Sequence, residues 1–311
     1  VPTHHVLVAS GQARELLGPP PAGVQVAVWN GAGEPSAAVR QTQFWVPQLL
    51  SAALENVLAQ LPALEVVQLV SAGADAFVGR LPESVLLCDA RGVHGGSTSE
   101  WVLAVVLAAV RDLPRFVRAQ DERRWDYTFT DELAGKRVLV VGAGDVGGQI
   151  RRKLLTFDAE VTLVARRPRP ATVVEPAVHG VGELPELLPA ADIVVVVVPL
   201  TEATRGLVDG EFLARMPTGA LLVNGARGPV VQTDALVAEL RSGRLRAATD
   251  VTDPEPLPPD HPLWQQPGLL LTPHVAGSVH GFPARAYALV RRQLERWVAG
   301  EPLHNQVVDG Y

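Results

Sequence analysis

Residues 136–148, KRVLVVGAGDVGG, constrain this chain more than any other stretch. An apolar run breaks into glycines and then resumes with helical spacing, which is the outline of a strand, a tight turn and a helix. Gly142, Gly144 and Gly147 hold the GxGxxG spacing. In that pattern the first glycine allows the turn, the second lets a pyrophosphate approach the backbone, and the third lets helix pack on strand. Three glycines at this spacing also arise by chance in a chain with 28 of them. The buried strand before them and the helix after them make the reading a dinucleotide site, with phosphate on the N–H groups that open the helix.

At 311 residues the chain is long enough for two domains, each with its own apolar core. A net charge of −6 disfavours a nucleic-acid or membrane-surface partner, both of which select a basic face, so any phosphate binding must be local. The single cysteine, Cys88, lies in an apolar run and reads as a buried structural thiol. The start, VPTHHVLVAS, lacks the basic region and apolar core of a signal peptide, and a cytoplasmic setting is expected. Residues 101–110 are ten apolar residues in a row, too few to span a bilayer, which takes about 20. They read as a buried helix.

Strands are expected over 5–9, 24–29, 66–70 and 85–88, with a helix over 49–61. Ser97 and Glu100 form a capping-box pattern ahead of the apolar helix. Residues 111–131 are charged yet carry Trp125, Tyr127 and Phe129, too aromatic for a disordered linker, and are expected to pack on a partner subunit. Six strands follow, over 137–141, 161–164, 193–198, 220–223, 245–249 and 269–271, with helices over 145–156, 183–188, 209–214 and 233–242. This alternation predicts an α/β protein of doubly wound parallel sheets. Gly95-Gly96 mark a domain crossing, and the amphipathic helix over 284–298 is expected to return to the first domain. The expected division is therefore 1–94 and 279–311 for one domain and 95–278 for the other.

Ligands of open α/β sheets bind beyond the carboxyl ends of the strands. In the second domain those ends carry Gly142, Arg166-Arg167, Pro199, residues 224–228, Asp250 and residues 272–274, so the polar and glycine-rich positions converge on one edge. An NAD site ordinarily has an acidic residue after its second strand, to bond the ribose 2′-hydroxyl. Here Arg166 and Arg167 stand instead, and a guanidinium suits a 2′-phosphate. NADP(H) is therefore preferred, with NAD(H) possible. Arg227, between glycines past a strand end, is placed to reach a carboxylate. His274 closes the last strand, and Glu255 lies in a loop from the preceding one. A carboxylate beside a histidine raises its pKa and orients it as a general acid. The other seven histidines have no comparable context, and no metal-ligand spacing is present.

Together these segments resemble the D-isomer-specific 2-hydroxyacid dehydrogenase family, and within it the glyoxylate and hydroxypyruvate reductases. The matching motifs are VGAGDVGG at 141–148, VVPLTEATRGLV at 197–208, NGARGPVV at 224–231, DVTDPEPLP at 250–258 and LTPHVAG at 271–277. SAGAD at 71–75 and STSEWVLAVVLAAVR at 97–111 match less closely. The resemblance implies a Rossmann cofactor domain, a flavodoxin-like substrate domain completed by the C-terminal helix, and a two-fold dimer built on the helix at 101 and its following arm. It also implies a catalytic trio of Arg227, Glu255 and His274.

By themselves the small residues Ala72, Gly73 and Ala74 read as a turn. The resemblance turns their N–H groups toward a substrate carboxylate. It implies cofactor contacts from Thr98, Gly142, Gly144, Asp145, Val146, Gly147, Arg166, Arg167, Pro199, Thr204, Ala226, Asp250 and Gly277, with Asp250 and the Ala226 backbone on the nicotinamide carboxamide. Arg166 replaces the family's more common aspartate, and Thr98-Ser99 replace its more usual Val-Ala. Glu255 disfavours formate, whose oxidation needs no proton transfer to oxygen.

The expected activity is NADPH-dependent reduction of a small 2-keto acid to a D-2-hydroxy acid. The alternatives are a dinucleotide-sensing, corepressor-like regulator and an NAD-dependent enzyme like phosphoglycerate dehydrogenase. Phe44, Trp45, Trp264 and Phe282 either line the substrate pocket or pack in loops.

Overall fold

The computed structural model describes residues 3–48 and 54–308. It divides into two compact units, Val1–His94 with His280–Tyr311, and Gly95–Val279.

The first unit contains β1 (His4–Val8), α1 (Gly11–Leu17), β2 (Val24–Val28), α2 (Ala37–Arg40), β3 (Phe44–Val46), α3 (Leu54–Leu58), β4 (Val66–Gln68) and β5 (Leu86–Cys88). The second opens with α4 (Gly95–Val110) and α5 (Leu113–Asp121) and continues through β6 (Arg137–Val141), α6 (Asp145–Leu155), β7 (Glu160–Ala165), β8 (Val178–Gly180), α7 (Leu184–Leu187), β9 (Ile193–Val196), α8 (Gly210–Arg215), β10 (Leu221–Asn224), α9 (Thr233–Arg241), β11 (Arg246–Thr249) and β12 (Leu269–Leu271). The last helix, α10 (Phe282–Val298), returns to the first unit.

Among the described residues the first sheet has five strands in the order β2-β1-β3-β4-β5, all parallel, which is flavodoxin-like. Its inner strands β3 and β4 are buried at every position, as a parallel sheet under helices requires. Val6 and Val8 join the core shared with α1 and α10, whereas Leu7, one residue along, joins the opposite core with α3. Ser10 caps α1 by accepting the Ala13 N–H at 3.1 Å, and the helix stops at Gly18, whose φ of 70° favours glycine. Phe44 and Trp45 are therefore β3 core residues rather than loop or pocket residues. Cys88 is buried, and burial pushes its thiol up to about 12, as a structural cysteine should show.

The second sheet orders its described strands β12-β11-β10-β9-β6-β7-β8, again all parallel. Counted from β6, this is the 3-2-1-4-5-6 order of the Rossmann fold with one strand added beyond the sixth. The order reverses at β6, so the glycine turn stands at the switch point where such sheets take their ligand. Alternate residues build the two layers: Val138, Val140, Ile193 and Val195 pack under α4 and α6, while Leu139, Val141, Val194 and Val196 pack under α8 and α9. In α4, Val102, Val105, Val106 and Val110 form the buried stripe of the apolar helix.

Several details depart from the sequence reading, β3 among them, since no strand was expected over Phe44–Val46. The first five residues expected to begin the helix over 49–61 lie outside the described ones, and α3 occupies Leu54–Leu58. β8, an edge strand of three residues, adds a seventh strand where six were expected. α5 forms within the charged segment after α4, with Pro114 in its first turn.

The capping box is also overturned. α4 begins at Gly95, two residues before Ser97, and Gly95 lies so close to α6 that a Cβ there would stand 2.1 Å from Asp145 Oδ2. Lys153 Nζ then secures the first turn of α4, donating to Gly96 O at 2.8 Å and to Ser99 Oγ at 2.6 Å, with Glu100 3.8 Å away.

Candidate active site

The three turn glycines have separable roles. Gly142 adopts a φ of 120°, and a Cβ there would lie 2.7 Å from Val197 O at the end of β9. At Gly147 a Cβ would lie 1.8 Å from Gly142 O, so this residue sets the close packing of α6 on its turn. A Cβ on Gly144 would meet no described atom within 4 Å. Gly144 is also the cap position of α6 and brings no side chain to its first N–H groups. The turn is thus crowded on its inner side and open on its outer side, which fits a pyrophosphate on the helix N-terminus. Asp145 and half-buried Val146 begin α6, and Asp145 Oδ1 accepts from Gln149 Nε2 at 2.9 Å.

A paired substitution separates these roles. Gly147→Ala is expected to lower stability by about 1–3 kcal/mol through forced overpacking, read as a shifted urea midpoint. Gly144→Ala should keep the wild-type midpoint and raise the dinucleotide dissociation constant.

Arg166 and Arg167 are exposed past β7. The sequence reading missed Arg169, whose Nη2 lies 3.5 Å from Ala143 O inside the glycine turn. The ARRPR run itself, three arginines in four positions, was the signal for it. In the loop after β9, Thr204 Oγ1 donates to Pro199 O at 2.6 Å and accepts the Thr201 N–H at 2.8 Å. That hydroxyl therefore shapes the loop itself. Thr98 is buried in α4.

At the end of β10, Asn224 braces the turn that carries Arg227, a role the sequence did not disclose. Its Oδ1 accepts the Ala226 N–H at 3.1 Å and its Nδ2 donates to Arg227 O at 3.2 Å. The half-buried Arg227 donates from Nη1 to Ala226 O at 2.8 Å. A Cβ on Gly228 would stand 1.9 Å from Thr252 O, so the arginine turn presses against the loop that leads to Glu255. Thr233 Oγ1 joins the same loop by donating to Asp253 O at 3.1 Å.

Glu255 and His274 meet across 19 residues: the distance from His274 Nδ1 to Glu255 Oε1 is 2.6 Å. Both side chains are close to half exposed, at 40% and 46%. The Thr252 N–H approaches Glu255 Oε2 at 3.4 Å. His274 has a φ of 55°, in the left-handed region that non-glycine residues occupy only when their surroundings enforce it. Asp250 supplies that enforcement. Its main-chain oxygen accepts the His274 N–H at 2.7 Å, Oδ1 accepts the Val275 N–H at 2.8 Å, and Oδ2 accepts the Ala276 N–H at 2.8 Å. The buried Asp250 carboxylate thus holds the histidine turn, which runs on through Gly277.

In the first unit, Ser71 Oγ donates to Gly73 O at 2.9 Å and folds the Ala72-Gly73-Ala74 turn. Ala72 and Gly73 are half-buried and Ala74 is buried.

The cofactor unit therefore presents, along one sheet edge, a dinucleotide cradle, an arginine turn and a carboxylate-paired histidine. Comparison with known proteins places the chain in a family. The family profile described as "D-isomer specific 2-hydroxyacid dehydrogenase, NAD binding domain" matches residues 103–276. A glyoxylate reductase of Thermofilum pendens is 34% identical over 259 residues, covering 79% of this chain and 75% of its own.

Two solved structures share the whole architecture. The D-isomer specific 2-hydroxyacid dehydrogenase of Xanthobacter autotrophicus Py2, in complex with NADPH and MES, has a TM-score of 0.87 and 34% identity over 100% of both chains. The NADPH-dependent glyoxylate/hydroxypyruvate reductase of Sinorhizobium meliloti, in complex with NADP and sulfate, has a TM-score of 0.83 and 25% identity over 100% of both chains. With the glycine cradle, the sheet orders and the profile in agreement, this chain belongs to the D-isomer specific 2-hydroxyacid dehydrogenase family and is an NAD(P)-dependent oxidoreductase.

Proposed function

We propose that the chain reduces a small 2-keto acid, such as glyoxylate or hydroxypyruvate, to its D-2-hydroxy acid with NADPH. The observation that carries this reading is the 2.6 Å contact between His274 Nδ1 and Glu255 Oε1 on the edge that also holds the arginine turn. With Nδ1 donating to the carboxylate, Nε2 is the ring atom left to give a proton to the substrate oxygen. Arg227 binds the substrate carboxylate through its fork and polarises the carbonyl. The Ala72-Gly73-Ala74 turn of the first unit is proposed to offer N–H donors to a carboxylate. The nicotinamide supplies the hydride when bound. In this reading Asp250 orients the histidine turn beside the carboxamide, and the Ala226 backbone meets the same group.

NADPH is preferred over NADH because Arg166 and Arg167 follow β7 and Arg169 reaches the glycine turn. The two structural relatives above carry NADPH and NADP in their complexes. The test is to follow NADPH and NADH absorbance with glyoxylate, hydroxypyruvate, 3-phosphohydroxypyruvate and larger 2-keto acids. Sustained NADPH oxidation with the small acids supports the reading. Absence of turnover across the panel would sink it and favour a regulatory, dinucleotide-sensing role.

We further propose a homodimer seated on the segment after α5. Trp125, Tyr127 and Phe129 alternate along an extended stretch and are 95%, 78% and 89% exposed, with the last two rings in edge contact at 6.0 Å. Solvating three such rings is costly, and a second copy is the occupant the family suggests. The segment is held ready for docking. Asp126 is gripped by Arg115 at 2.8 Å and Arg124 at 2.7 Å, and these guanidinium groups hold its carboxyl down to about 2. Trp125→Ser with Phe129→Ser is expected to shift the sedimentation profile from dimer to monomer at micromolar concentration. A profile unchanged from wild type would refute the assignment. No helix among the described residues is long and apolar enough to cross a membrane.

A further inference from the structure

We propose that Trp101 is a positioning residue for the histidine and arginine turns, acting on the first through a Thr272–Asp250 relay and on the second through its ring. This inference rests on the functional reading above for its link to turnover.

Trp101 lies on α4, and its indole Nε1 donates to Thr272 Oγ1 at 3.0 Å. Thr272 Oγ1 in turn lies 2.5 Å from Asp250 Oδ1. Chemistry fixes the direction of both bonds. An indole N–H only donates, so the threonine oxygen accepts from it, and the single hydroxyl proton is committed to the carboxylate. A donor delivered into that oxygen strengthens its own donation onward, as in any hydrogen-bond chain. The Asp250 carboxylate also accepts the Val275 and Ala276 N–H groups, and its main-chain oxygen accepts the His274 N–H. The left-handed backbone of His274 is thus secured on one side by a carboxylate whose own orientation depends on Thr272, and Thr272 depends on Trp101.

The same side chain reaches the second turn. A Cβ on Gly225 would lie 3.5 Å from Trp101 Cζ3, so the indole edge packs directly beneath the residue that opens the arginine turn. Gly225 follows Asn224, whose amide braces Ala226 and Arg227. One half-buried indole therefore serves two loops from different strands, by its nitrogen on one and its carbon edge on the other. An apolar helix residue with no relay role would need no donor at this position.

The test uses Trp101→Phe, which keeps an aromatic ring and removes the N–H, with Thr272→Val and Thr272→Ser as companions. Trp101→Phe and Thr272→Val are each expected to lower kcat about tenfold, within the 10- to 100-fold range of second-layer positioning contacts, with the KM for NADPH unchanged. Thr272→Ser keeps the hydroxyl and should restore wild-type kcat. The double variant Trp101→Phe/Thr272→Val should be no slower than Trp101→Phe alone, because that substitution already breaks the chain at its first bond.

The low-field proton resonance of His274 Nδ1–H, recorded without substrate, should shift in both single variants and remain in place in Thr272→Ser. Wild-type kcat and an unmoved resonance in Trp101→Phe and Thr272→Val would overturn the proposal, as would multiplied losses in the double variant. The resonance separates this inference from the reaction assigned above. If the wild-type chain reduces no 2-keto acid, that assignment fails, and the resonance shift alone still upholds or overturns the relay.

Discussion

His274→Asn is expected to lower kcat for 2-keto acid reduction by ~10²–10⁴-fold, the range of a positioned general acid, while NADPH binds with wild-type affinity. Asparagine is the informative replacement because it tolerates the left-handed backbone, where alanine would add strain unrelated to proton transfer. The anchors that hold the turn are backbone N–H groups of residues 274–276 on Asp250, and they survive the substitution. The variant should therefore melt with the wild-type protein and titrate with NADPH like it. Stopped-flow turnover together with cofactor fluorescence reads both quantities. Turnover near the wild-type rate would remove His274 from the mechanism, and Glu255 with it.

The second large effect concerns the choice of cofactor. Arg166→Asp should reduce kcat/KM for NADPH on the order of 10- to 100-fold, the worth of a charge-assisted hydrogen bond, and leave the value for NADH equal or higher. The new carboxylate repels a 2′-phosphate and offers the ribose 2′-hydroxyl the acceptor that NAD sites ordinarily provide. Arg169 tests the breadth of the clamp. If it shares the phosphate, Arg169→Ala lowers NADPH affinity further in the Arg166→Asp background. An unchanged ratio of NADPH to NADH use in Arg166→Asp would show that β7 does not end at the discriminating phosphate.

What the sequence disclosed follows from which forces act locally. β9 was legible because IVVV has no polar residue, and only a strand covered on both faces uses such a run. β3 and β8 were not, since three residues carry no period to read. α5 was hidden by its charge and its proline, and the start of α4, two residues before Ser97, by a capping pattern that the helix does not use. At the site, strand ends drew attention to Arg227 and His274 because position alone marks them. The braces around them were invisible: Trp101 and Thr272 are 171 residues apart, and nothing in either neighbourhood announces the other. Asn224 could be read as the end of β10, but its two-way grip on the arginine turn is a matter of geometry.

The return of α10 to the first unit has a consequence for how the chain folds. Ala286, Tyr287, Leu289, Val290 and Leu294 fill one face of the β1–β5 sheet, and Gln293 Nε2 reaches buried Gln68 Oε1 at 2.8 Å. As a ribosome releases the chain, the unit begun first is finished last. The continuous cofactor unit can close before α10 emerges, while the first sheet waits with an apolar face uncovered. Such an interval leaves that apolar face open to non-native association until α10 docks.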